Sequence, residues 1–192
     1  MGWNLSLVHA QGPSATVEGF ALANGYRPQT DAAPASVEEV VLGPDDGDWA
    51  RPTLAVTETG AGLLLVARLI VSNGWATGLS ERKGQATWAT WQGSSSTYAF
   101  AHYEDGQAVR ELSRSEHEVV HESGAPLPAE AYLRWNDPER PADDEQDLFE
   151  LVRAVTGLPE PATWLEATAR RYAPAAITEL ELTKKKRRFL GR

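Results

Sequence analysis

The chain has no cysteine. That excludes disulfides, zinc ribbons, thiol nucleophiles and thiolate metal sites. No run approaches the ~20 apolar residues of a membrane span. The opening MGWNLSLVHA has neither a basic segment nor a long apolar stretch, so it does not read as a secretory signal. These absences lead us to expect a cytoplasmic bacterial protein. Gly60-Ala61-Gly62 is followed by neither a helix-opening glycine nor Lys-Ser/Thr, so no phosphate loop is expected there. Ser94-Ser95-Ser96 lacks the glycine frame of a nucleophile elbow. No motif asks for a cofactor.

What is present fits one globular domain: 192 residues, 42% hydrophobic and 23% charged. Arginine exceeds lysine 14 to 4, the usage of a GC-rich bacterial genome. The net charge of −9 is unevenly spread. Residues 1–183 hold 27 acidic and 12 basic side chains, a net of −15, and the remaining six cations fall in residues 184–192. We therefore divide the chain into an α+β domain over 1–174 and a basic C-terminal tail over 175–192. An acidic body repels phosphate backbones, so nucleic acid is disfavoured for the domain, while the basic tail leaves open a solubilising end, an acidic partner, nucleic acid, an anionic membrane or folding back on its own acidic body.

Hydrophobic periodicity places the elements. Trp3, Leu5, Leu7 and His9 alternate on one face of a strand. Ser14 is positioned to cap a helix carrying Val17, Phe20 and Ala21, with Gly25 at its end. Ser36 and Glu39 have capping-box spacing, although Val37, Val40, Val41 and Leu42 also suit a short strand. Thr53–Glu58 and Leu63–Ser72 flank a glycine turn and predict a hairpin. A single helical turn is expected between Gly78 and Gly84. Strands are predicted over Ala86–Trp91, Tyr98–Tyr103 and Gln107–Leu112, the last two joined by Asp105-Gly106, a dipeptide suited to tight turns. Asp143 caps a helix with Leu148, Leu151, Val152 and Val155 on one face and Gly157 at its end. Pro161 opens a second helix with Trp164, Leu165, Thr168 and Tyr172 buried, stopped by Pro174. The expected fold is α+β: a single antiparallel twisted sheet with the N-terminal helix and two C-terminal helices packed on one face.

One string carries possible chemistry. His117-Glu118-Val119-Val120-His121 matches H-E-x-x-H, which on a helix puts two zinc ligands and a general base on one face. Two valines favour a strand instead, and strand rise would separate the histidines by about 13 Å, too far for one metal. Gly124, Pro126 and Pro128 leave little room for a helix, and only Glu130 or Glu139 is near enough to serve as a third ligand. Metal is therefore not expected. Isolated His9 and His102 read as packed or edge strand residues and not as catalysts. The acids Asp45-Asp46 and Asp143-Asp144-Glu145 read as solvated loop or cap residues.

The stretch LSLVHAQGPSATVEGFALANGY resembles the opening of an uncharacterised actinobacterial domain-of-unknown-function family. NGWATGLSERKGQATWATWQGSSSTYAFAHYEDGQAVREL resembles that family's core: an Asn-Gly-Trp segment, a Trp-containing strand and a Tyr…Asp-Gly hairpin. HEVVHESGAPLPAEAYLRW is similar to a second uncharacterised family, in which this segment is a strand ending in Gly-x-Pro-Leu-Pro. The chain departs from the first family at Trp91-Gln92-Gly93, where Trp-Asn-x-Asn is usual. The resemblance implies an α+β scaffold and brings no catalytic signature.

The sequence thus points to a non-catalytic protein-binding domain, immunity-like or adaptor, that offers an acidic surface and a basic docking tail to a protein partner. The partner-binding candidates are Trp88, Trp91 and Tyr103 on the aromatic strands, with Lys184, Lys185, Lys186, Arg187, Arg188 and Phe189 in the tail. Trp88 and Trp91 have opposite parity, so a one-sided core would expose one of them. The alternatives are a zinc-dependent hydrolase built on His117–His121, and a structural subunit of a larger bacterial or phage-derived assembly.

Overall fold

The computed structural model describes residues 4–11, 15–43, 53–68, 71–136, 139 and 143–175. The Ser14 cap, Asp45-Asp46 and the tail cations lie outside the described residues. In chain order the elements are β1 (Asn4–Ala10), α1 (Ala15–Ala23), β2 (Tyr26–Pro28), β3 (Ala35–Ser36), α2 (Val37–Leu42), β4 (Leu54–Thr59), β5 (Gly62–Ala67), α3 (Gly74–Lys83), β6 (Gln85–Gln92), β7 (Thr97–Glu104), β8 (Gln107–Ser115), β9 (Glu118–Ser123), α4 (Asp144–Thr156), α5 (Pro161–Leu165) and β10 (Thr168–Pro174). The strands form one ten-stranded sheet ordered β2-β10-β4-β5-β1-β6-β7-β8-β9, with β3 beside β10. Every pairing is antiparallel.

The helices divide between the two faces of this sheet, which corrects the one-face arrangement. Leu5, Leu7, Leu64, Val66, Ala89, Trp91 and Phe100 pack under α2, α4 and α5. Val8, Ala10, Leu63, Leu65, Ala86 and Ala101 pack against Phe20 and Ala21 of α1 and Ala76 and Leu79 of α3. The physical reason is visible in β1 and β5, where consecutive residues of both parities are apolar and buried. A strand apolar on both sides needs a cover on both sides.

Local chemistry sets the helix ends. Ser36 Oγ accepts from the Glu39 amide and Glu39 Oε2 accepts from the Ser36 amide, so the capping box decides α2 in favour of helix. Asp143 Oδ1 accepts from the Gln146 amide at the start of α4, and Gly157 closes α4 at φ 72°. α3 runs over ten residues instead of one turn. Its Gly78 lets it approach α1, since a Cβ there would lie 2.7 Å from the Phe20 ring. The predicted second C-terminal helix stops at Leu165. Thr168 and Tyr172 belong to β10, where Tyr172 faces Pro28 of β2 and Leu54 of β4. Backbone pairing on both sides of this segment overrides its helical spacing.

Candidate binding edge

β8 alternates Arg110, Leu112 and Arg114 on one face, and Leu112 stands opposite Phe100 of β7. That face is the one covered by α4, so both arginines are carried inward. Arg110 is 3% exposed and Arg114 6%. A buried cation is tolerated only when paired and hydrogen-bonded. Each arginine meets a buried acid from the C-terminal layer. Arg110 Nε and Nη2 donate to the two carboxylate oxygens of Glu130, both at 2.9 Å. Glu130 Oε1 also accepts from the Leu127 amide at 2.9 Å. Arg114 Nε donates to Asp144 Oδ1 at 2.8 Å, and its guanidinium lies 5.1 Å from the centre of the Trp135 ring. Asp144 is thus a buried ion-pair partner and not a solvated cap residue. The neighbouring acids Glu145, Asp144 and Asp143 add to burial in raising the Tyr98 phenol pKa.

The same arginines hold β9 at its two ends. Arg114 Nη2 donates to the His117 carbonyl, just before β9 begins. Arg110 Nη1 donates to the carbonyls of Ser123 and Gly124, and Arg110 Nη2 to Glu122 Oε2 at 3.0 Å. Between β8 and β9 the chain turns through only Glu116 and His117, since Ser115 is paired with Glu118. Both turn residues are left-handed, at φ 51° and 69°. Such a turn ordinarily uses Asn-Gly, because a larger side chain costs about 1–2 kcal/mol in this region. The Glu116 amide donates to the Ser96 carbonyl at 3.1 Å, and Ser96 is itself at φ 47°. His117 Nδ1 lies 3.1 Å from Asp144 Oδ2, close enough for an ion pair when the imidazole is protonated, though outside hydrogen-bond alignment.

β9 is the last strand of the sheet, and all six of its residues are exposed. Val119 is 50% exposed and Val120 65%. Glu116, Glu118 and Glu122 are exposed around them. An edge strand presents main-chain N–H and C=O groups outward for pairing. The opposite end of the sheet is β2, only three residues long.

The zinc string is taken apart by this geometry. Its first histidine lies in a turn and the rest on a strand, so the helix that zinc chemistry requires is not formed. His117 turns to Asp144, whereas His121 Nε2 lies 3.8 Å from Glu111 Oε2. Glu130 is held by Arg110. Among the described residues no three His, Asp or Glu side chains are grouped to hold a metal.

The aromatic candidates move inward. Trp91 is 0% exposed, stacks on Phe149 at 4.4 Å and donates from Nε1 to the Glu145 carbonyl. Tyr103 is buried in the opposite core. Trp88, on the other face of β6 from Trp91, is half-buried and donates to the Val71 carbonyl at 2.6 Å. Opposite parity therefore places the two tryptophans in two cores, because both faces are covered. Lys184, Lys185, Lys186, Arg187, Arg188 and Phe189 lie outside the described residues.

The sequence analysis gives Arg110 and Arg114 no role, and takes Glu130 only as a possible third metal ligand and Asp144 as a solvated cap residue. One signal was available: the i, i+2, i+4 spacing of Arg110, Leu112 and Arg114 in a strand puts two cations on the face of an inward leucine. Among the described residues no helix is long and apolar enough to cross a membrane. Compared with protein-family models, curated proteins and solved structures, the chain matches none, so the likeness to uncharacterised actinobacterial domains remains an expectation.

Proposed function

We propose that this chain is a non-catalytic protein-binding domain, immunity-like or adaptor, whose β9 edge takes an extended basic segment of a partner. One observation carries the reading. Two buried arginine–carboxylate pairs anchor the two ends of a strand whose own side chains are all exposed. Burying an ion pair is costly and seldom improves stability over apolar packing. Here the gain is a fixed backbone at the sheet margin. A rigid edge binds an incoming strand without first having to be ordered. Main-chain hydrogen bonds would supply affinity, and side chains on either side would supply selection. Glu116, Glu118 and Glu122 repel acidic chains and draw in basic ones, which raises the association rate for the right partner.

The test is a titration of a fluorescent Lys-Val-Lys-Val-Lys-Val peptide followed by anisotropy and by amide chemical shifts. Binding should perturb amides of residues 118–123 and weaken at least about tenfold, ~1.4 kcal/mol, in the Glu116→Lys/Glu118→Lys variant, which leaves the Arg110 contacts intact. N-methylating alternate peptide amides should remove binding. Shifts confined to any other part of the domain, or indifference to N-methylation, would overturn the reading.

A further inference from the structure

The chain itself carries a segment with the chemistry this edge fits. Residues 184–190 read Lys-Lys-Lys-Arg-Arg-Phe-Leu, five consecutive cations followed by two apolar residues. They lie outside the described residues. The β9 edge offers the complement: Glu116, Glu118 and Glu122 around exposed Val119 and Val120. Resting on the reading above, we propose that residues 186–190 cover the β9 edge of their own chain, so that an outside partner has to displace them.

The strand register brings the segment to the right end of the sheet. Tyr172 of β10 is in line with Leu54, Ala67 and Ser6. Asn4, two residues before Ser6, is in line with Gln92, Thr97, Ser115 and Glu118. Pro174, two residues after Tyr172, therefore leaves β10 at the level where β9 begins. The route crosses strand ends and need not wrap round a face of the sheet. The sheet order puts seven steps between β10 and β9, and an added strand makes eight, ~38 Å at ~4.8 Å each. Phe189 is fourteen positions beyond Ala175, the last described residue, and fourteen residues reach up to ~50 Å. On that path Lys186, Arg187 and Arg188 pass Glu116 and Glu118, and Phe189 and Leu190 come level with Val119 and Val120.

A second copy is the competing occupant, and concentration decides against it. Random-chain statistics for fourteen residues held across ~38 Å give an effective concentration on the order of 0.1 mM. At ~1 µM protein a neighbour's segment is about a hundredfold more dilute. The edge is then covered within each chain, which also blocks the growth that an open edge invites. A basic partner must compete with cations already in place.

The absence of cysteine gives a clean experiment. Full-length Val120→Cys/Phe189→Cys and Leu22→Cys/Phe189→Cys variants are oxidised mildly at ~1 µM, well below that effective concentration. Leu22 is exposed and lies near the root of the segment, three residues from Gly25, whose carbonyl accepts from the Ala175 amide. A segment that only collides with the surface would link to position 22 first. A docked one should link to position 120 at least about tenfold faster, a preference erased at about 0.5 M salt, where the Debye length is near 4 Å. Equal rates, or faster linking at 22, overturn the proposal. So does a mixture of the single Val120→Cys and Phe189→Cys variants that links as fast as the double variant, since the occupant is then a second copy. The Lys-Val peptide supplies the second measurement. Deleting residues 177–182 keeps every cation but leaves Phe189 eight positions beyond Ala175, a reach of at most ~29 Å. The deletion removes two acids and so weakens general attraction for the peptide, yet uncovering the edge should tighten binding at least about fivefold. Unchanged or weaker binding, with shifts still at 118–123, overturns the proposal and leaves the edge reading standing. Absence of binding by both chains removes the two together.

Discussion

His9 illustrates how much one side chain can decide. It lies within β1, between Leu64 of β5 and Thr87 of β6, and Thr87 Oγ1 is 2.9 Å from His102 Nδ1 in the next strand. Burial lowers the His9 pKa from 6.5 to about 4 and also lowers that of His102, the latter opposed by Glu104. His9 is thus neutral when folded at pH 7. A base whose folded pKa is depressed binds more protons unfolded, so folding stability falls as pH falls below 6.5. The loss is complete below pH 4 and amounts to about 3 kcal/mol. Denaturant titrations at pH 7 and pH 4.5 should show this loss, and His9→Phe should remove most of it relative to the parent chain. An equal pH dependence in the variant would assign the effect to groups other than His9, His102 among them. At this scale the strand alternation put His9 on the face of Leu5 and Leu7 but left open whether that position is packed or at an edge. It was silent about the acids that match Arg110 and Arg114, because Glu130 and Asp144 lie 20 and 30 positions away and meet them only when the C-terminal layer docks.

At the level of elements, local rules hold wherever a residue has one conformational job. Asp105-Gly106 turns at φ 47° and 80°, the capping box opens α2, and Pro161 opens α5. They fail where packing makes a second demand. α3 carries Gly74 and Gly78 and looks too weak for a long helix, yet its close approach to Phe20 needs the missing side chain. β10 has a helix-like spacing, but it fills the gap between β2 and β4. The Glu116-His117 hairpin is the strongest departure, with two side chains where Asn-Gly would be relaxed. His117 has a reason to be there, since its carbonyl is held by Arg114 and its ring sits beside Asp144. Among the described residues Glu116 is held through its backbone, whose amide donates to the Ser96 carbonyl. Glu116→Asn should therefore relieve left-handed strain and stabilise the domain by about 0.5–1 kcal/mol. Thermal denaturation should show a rise of a few degrees, and a fall would mean that the Glu116 side chain has work that its geometry does not reveal.

For the whole molecule, the sheet is asymmetric across its width. β1 lies near the middle, flanked by β5 and β6, with helices on both faces. β9 has one strand neighbour and no buried residue. Composition indicated a mixed fold and a charged surface, but alternation within single strands cannot tell which strand ends the sheet. That depends on where the last helices dock, and so the exposed β9 edge was the least legible part. Backbone hydrogen exchange should follow the same gradient. Amides of β1, β5 and β6 should exchange only through global unfolding, since opening them exposes two cores. Amides of β9 bonded to β8 should exchange through a smaller, local opening, slowed by the arginine anchors at its ends. Arg114→Met should accelerate exchange at residues 117–119 more than at β1, beyond what its general loss of stability explains. If β9 and β1 exchange at one common rate in both proteins, the edge is part of the global unit and the arginines do not anchor it separately. If β9 is already unprotected in the parent chain, there is no rigid edge, and the energetic case for strand addition is lost with it.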